Sequence, residues 1–137
     1  MRKQARECAY LLVFASLFSG GEDGGAALAR LTEEYKLTEE DAAFTQGRLF
    51  GVTENRRALE EAIGRLSEGF PPDRIYKTDL AALLLGAYEI LYCPDIPPAV
   101  AIDEAVSLGR KYTAPKSAGF INGVLAAVLK EKEGKQP

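Results

Sequence analysis

The chain has 137 residues, 17 Lys and Arg against 20 Asp and Glu, and no histidine. Its length fits one domain that buries about two-thirds of its unfolded surface without metal or disulfide. A composition 47% hydrophobic and 27% charged excludes the disordered class, the missing histidine removes the commonest general base and metal ligand, and a net charge of -3 counts, as a total, against a nucleic-acid binder.

The first twenty residues imitate an export signal: Arg2, Lys3 and Arg6, then an apolar run from Cys8 to Phe18, then Ser19-Gly20-Gly21. The run is too short to span a bilayer, Glu7 sits at its edge, and no Ala-x-Ala site follows. The preferred reading is a core helix from about Lys3 to Phe18 with a basic, exposed first turn. Gly24-Gly25 reads as the end of a flexible loop, followed by a short helix near Ala26 to Tyr35. Thr38-x-x-Asp41 resembles a capping box, with Glu39, Glu40 and Asp41 at the positive end of the helix dipole. It opens a long helix to about Ser67, where Leu49, Val52, Leu59, Ile63 and Leu66 recur at helical spacing.

Gly69-Phe70-Pro71-Pro72 breaks that helix. Thr78 to Tyr92 is apolar nearly all round, which predicts a central helix enclosed by others. Pro97-Pro98 pre-sets a fifth helix with Ala101, Ala105, Leu108 and Tyr112 on one stripe. Pro115 opens the last, where Ile121, Val124, Leu125 and Val128 share a face. Glycines 47, 51, 86, 109, 119 and 123 fall inside these helices and read as points of close helix approach. The expected architecture is an all-α, single-domain bundle over residues 1–137. Cys8 and Cys93 lack metal or disulfide spacing and read as small buried hydrophobes in a reducing compartment.

No phosphate loop, GxGxxG, HExxH or Gly-x-Ser-x-Gly occurs. The pairs Glu33-Glu34, Glu60-Glu61 and Asp103-Glu104 diverge by about 100° on a helix and read as solvated faces. Neither catalytic residues nor a cofactor is expected. Charge position says more than its sum. Residues 22–41 hold seven carboxylates against Arg30 and Lys36, whereas Arg2, Lys3 and Arg6 at one end and Arg110, Lys111 and Lys116 at the other have no acid among them. If the first and last helices pack together, the two clusters form one patch able to hold a polyanion. Tyr112 reads as core; Phe120 fits core packing and base stacking equally.

Ala5-Arg6-Glu7-Cys8-Ala9, Phe50-Gly51-Val52 and Ala87-Tyr88-Glu89-Ile90-Leu91 resemble segments of the NusB transcription antitermination family. So do residues 95–105, running Asp95-Ile96-Pro97-Pro98 to Glu104-Ala105, and Phe120-Ile121-Asn122-Gly123-Val124-Leu125, the two most specific motifs. The order and approximate spacing hold over nearly the whole chain. The resemblance implies six to seven helices in two packed helical subdomains, in a cytoplasmic protein. It implies binding to single-stranded boxA RNA as a heterodimer with NusE, within the RNA polymerase antitermination complex, without cofactor, metal or membrane. The RNA contacts it implies are Arg2, Lys3, Arg6, Lys116, Ser117 and Phe120. Glu89 is implied near the same face, accepting from a base or orienting an arginine. Tyr10, Phe14 and Leu84 are the candidate partner contacts, as an apolar patch.

The chain departs from the family at Leu84, where an arginine is usual, and at Leu11 and Phe14, where Gln and Tyr are common. These greasier positions keep an alternative open: a homodimeric helical interaction module whose RNA binding is weak or lost.

Overall fold

The computed structural model describes residues 2–18 and 24–135, so the Ser19-Gly20-Gly21 stop after the first helix lies outside the described residues. Among the described residues six α-helices follow one another: α1 (Arg2–Ser16), α2 (Gly24–Glu34), α3 (Glu39–Leu66), α4 (Lys77–Tyr92), α5 (Pro98–Tyr112) and α6 (Ser117–Gly134). A 3₁₀ turn, Pro72–Arg74, joins α3 to α4. No strand occurs among the described residues, as expected of an all-α chain.

The apolar helix α4 lies at the centre, packed against α1, α3, α5 and α6. Its residues from Asp79 to Ala87 are all buried, which is why its sequence shows no polar face. One continuous core runs from Ala9 and Val13 of α1, through Val52, Leu59 and Ile63 of α3, to Ile121 and Leu125 of α6. A smaller cluster, Cys8, Leu12, Ala27, Leu31 and Leu37, lies under α2. The export-like segment is therefore α1, whose Ala9, Tyr10 and Val13 join the main core and whose Cys8 and Leu12 join the smaller cluster.

Local signals set most boundaries. The Thr38 hydroxyl accepts from the Asp41 amide at 3.1 Å and caps α3. Pro98 opens α5 at a position where no amide hydrogen is required. Two expectations are corrected. Gly24 and Gly25 belong to α2 rather than to a loop, because Ala27 and Leu31 bury that helix against α1 and α3. Pro115 lies two residues before α6, in the turn closed by Ser117 N–H donating to Ala114 O.

The glycines divide. A Cβ on Gly51 would fall inside the Tyr88 ring, one on Gly86 would lie 2.6 Å from Leu125 Cδ1, and one on Gly109 would lie 2.6 Å from Ile121 Cδ1. These three allow close approach of helices. Gly47, Gly119 and Gly123 meet nothing within 4 Å, so close packing does not explain them.

Candidate nucleic-acid interface

Of the second basic cluster the structure shows Lys111 against α1, through α5 rather than through a packed α1–α6 pair. Arg110 lines a cleft with Asp103 and Asn122, and Lys116 one with Tyr76 and Asp79. Lys3, Arg6 and Glu7 of α1 face Glu104, Ser107 and Lys111 of α5 across a narrow cleft of about 100 Å³. Lys111 Nζ donates to Glu7 Oε2 at 2.8 Å, and Lys3 Nζ lies 3.6 Å from Glu104 Oε2. Arg2 stands 3.5 Å from Asp41 at the start of α3. Lys116 is exposed in the α5–α6 turn.

Beneath this surface lies an ion-pair network. Arg6 is only 5% exposed, and its Nε and Nη2 donate to the Glu89 carboxylate at 3.1 and 3.0 Å. Arg48 of α3 donates its Nε to Glu89 Oε2 at 2.9 Å. The guanidinium groups of Arg2 and Arg48 lie 4.3 and 4.2 Å from the centre of the Phe44 ring, and that of Arg6 lies 5.3 Å away. Cation–π contacts at these distances hold the arginine planes against an aromatic face. Glu89, 1% exposed, thus joins α1, α3 and α4 through its oxygens.

The expected site residues separate accordingly. Arg2, Lys3 and Lys116 are exposed, and Phe120 is half-buried with its ring edge against Phe70 at 6.0 Å. Arg6 and Ser117 are buried. Glu89 orients arginines and has no exposed oxygen for a base, because both oxygens accept from guanidinium groups. Of the three partner positions, only Phe14 reaches the surface, where it packs edge-on against Phe18 at 5.1 Å. Leu84 is wholly enclosed by the core, so it widens no apolar patch. Tyr10 is buried too: its ring stacks on Tyr112 at 5.1 Å and its hydroxyl donates to Thr78 O at 2.9 Å. Burial, with Asp79 nearby, pushes the Tyr10 phenol up to about 12.

Sequence reasoning missed Phe44, Arg48, Tyr76 and Asp79. The i, i+4 spacing of Phe44 and Arg48 was a readable signal for a stacked pair. A lone carboxylate, Asp79, inside the opening turn of an otherwise apolar helix was another.

A buried Arg6 and a partly covered Arg48 clamped by Glu89 beneath exposed, partly paired cations, on an all-helical frame, describe a helical protein with a basic binding surface. The NusB family pattern matches residues 3–130. The transcription antitermination protein NusB of Acetivibrio thermocellus is 36% identical over 131 residues, covering 96% of this chain and 90% of that one. The structure of T. maritima NusB superposes with a TM-score of 0.87 at 28% identity, covering 96% of this chain and 92% of that one. The structure of NusB and NusE in complex with double-stranded RNA gives a TM-score of 0.84 at 24% identity, with 95% and 96% coverage, a likeness of fold. This chain belongs to the NusB family.

Proposed function

We infer that this chain is a transcription antitermination factor. It binds single-stranded boxA RNA as a heterodimer with NusE and helps RNA polymerase read through terminators, in the cytoplasm and without a catalytic step. The observation that carries this reading is end-to-end similarity to a transcription antitermination protein NusB. The exposed cations support it: Arg2 and Lys3 on α1 and Lys116 before α6 offer phosphate contacts, and half-buried Phe120 offers a stacking face. Arg6 serves beneath them as a positioning residue, since Glu89 already takes two of its donor nitrogens. The Phe14–Phe18 pair at the end of α1 is the apolar surface proposed for the protein partner.

Titration of labelled boxA RNA with and without NusE tests this. Binding should be tighter with NusE, and Lys116→Ala should flatten the slope of log affinity against log salt by about 0.7. An unchanged slope removes Lys116 from the site. A homodimer by sedimentation that ignores boxA RNA, with or without NusE, replaces this reading with the interaction-module alternative.

A further inference from the structure

Helix α3 carries a face that its own chain leaves uncovered. Its buried residues Asp41, Thr45, Val52, Leu59 and Ile63 mark the side turned to the core. About 180° round the helix runs a stripe at alternating steps of three and four: Glu40, Ala43, Gly47, Phe50, Glu54 and Arg57, all exposed. Phe50 at its centre is 65% exposed, the most exposed phenylalanine among the described residues. Gly47, one turn earlier, has nothing within 4 Å of where a Cβ would stand. One turn further on, the Tyr88 ring covers Gly51 and stacks at 5.5 Å on Tyr92, itself 43% exposed. A projecting phenyl, an open notch and two flanking rings together leave apolar surface in water.

A knob and a hole one turn apart on one stripe fit a second copy of themselves. Let two α3 helices run antiparallel about a two-fold axis midway between positions 47 and 50. Each Phe50 then meets the Gly47 of the other copy, and, counting outward, Ala43 meets Glu54 and Glu40 meets Arg57. The symmetry repeats every contact, so one docking seats two rings and forms two ion pairs. Parallel pairing would instead set Glu40 on Glu40 and Arg57 on Arg57, which repels. Both charges are available: Arg56 holds Glu60 and Arg65 holds Glu131, but no ion pair within the chain takes Glu40 or Arg57 among the described residues. An acidic or a basic partner would satisfy one end of the stripe, whereas a second copy satisfies both.

We propose that α3 pairs antiparallel with α3 of a second copy of this chain, each Phe50 seated in the other's Gly47 notch and each Glu40 facing an Arg57. From Glu40 to Arg57 the stripe extends about 25 Å. One helix face with one aromatic anchor per chain gives a weak, concentration-dependent dimer rather than an obligate one. The pairing does not rest on the RNA-binding reading. Lys3, Lys111 and Lys116 lie on α1, α5 and the α5–α6 turn, so a dimer through α3 requires no loss of RNA binding, unlike the interaction-module alternative.

Sedimentation equilibrium of the full chain over a concentration series, without RNA or NusE, reads the dimer. Phe50→Ala should raise its Kd at least about thirtyfold, as for an anchoring ring. Gly47→Leu should do the same by filling the notch. Its side chain enters open space, so its helix content and urea midpoint should be no lower than those of the natural chain. Arg57→Glu should weaken the dimer about tenfold at low salt, and adding Glu40→Lys should restore it, a recovery that parallel pairing does not give. Tyr76→Ala removes an exposed ring outside α3 and should leave the dimer unchanged. A chain that stays monomeric at every concentration overturns the proposal, as does a dimer indifferent to Phe50→Ala and Gly47→Leu. Equal weakening by Tyr76→Ala also overturns it, by showing association without a fixed face. If the two α3 changes leave self-association unaltered yet weaken binding to NusE, the face belongs to a different protein and the second copy is the wrong occupant.

Discussion

Replacing Glu89 by alanine should be among the most destabilising single changes on the interface side of the molecule. The Glu89 carboxylate accepts from Arg6 Nε and Nη2 and from Arg48 Nε, all between 2.9 and 3.3 Å. Its loss leaves the Arg6 guanidinium buried, with Glu104 at 3.9 Å as its nearest remaining carboxylate. Breaking a buried pair from one side costs about 3–5 kcal/mol, since the stranded charge has lost both water and partner. Arg48 retains a little solvent contact and Arg6 retains Glu104, which places this case near the lower end, about 3 kcal/mol. Urea unfolding followed by helical circular dichroism reads the change. With a slope of about 2 kcal/mol/M the midpoint should fall by about 1.5 M. Arg6→Ala combined with Glu89→Ala should cost clearly less than the two single changes added, because each removes the penalty the other creates. A loss below about 1 kcal/mol for Glu89→Ala, or strict additivity in the pair, would show that the network carries no structural weight.

Two glycines one helical turn apart on α3 should respond with opposite signs. Gly51→Ala drives a methyl into the Tyr88 ring and should cost about 1–3 kcal/mol. Gly47→Ala meets open space and should stabilise by up to about 1 kcal/mol in the same urea assay. The thiols give a pH dependence. Burial, with Glu7 and Glu34 adding to it, raises Cys8 from 9.0 to about 11, and burial raises Cys93 in the same direction. Because the unfolded thiol ionises first, the stability linked to Cys8 is intact below about pH 9 and lost as pH rises towards about 11. The urea midpoint should fall over that window, and neither thiol should react with a disulfide reagent at pH 8 before unfolding. Rapid reaction of both in the folded protein would refute their burial.

The helices were legible because their signals are local. Thr38 caps through its own hydroxyl, Pro98 opens a helix through its fixed φ, and the all-round apolarity of α4 reports enclosure without naming its neighbours. The site was legible only in part because its residues act across sequence distance. Glu89 and Arg6 are 83 positions apart and Glu89 and Arg48 are 41 apart, and no spacing rule joins them. Leu84 shows the limit from the other side. A leucine in place of a family arginine looks like an apolar surface, yet the helix phase puts it inside the core, where it is wholly enclosed. Gly24-Gly25 failed for a related reason. Helix propensity penalises the pair, but packing of Ala27 and Leu31 outweighs about 1 kcal/mol per glycine.

The net charge of -3 and a polyanion-binding face are reconciled by how the cations are held. Arg2, Lys3 and Lys111 are each matched by a carboxylate: Asp41, Glu104 and Glu7 respectively. The cations of these pairs are exposed while their carboxylates are largely covered, so solvent and salt weaken the pairing and a phosphate can compete for the cation. The buried Arg6–Glu89–Arg48 group is the opposite case: its members are expensive to separate and are therefore fixed in place. Exchangeable pairs above a fixed one give a surface whose cations are positioned in advance yet partly neutralised. Non-specific polyanions then meet little net field. A ligand that arrives held by a second protein has the additional contacts needed to bind.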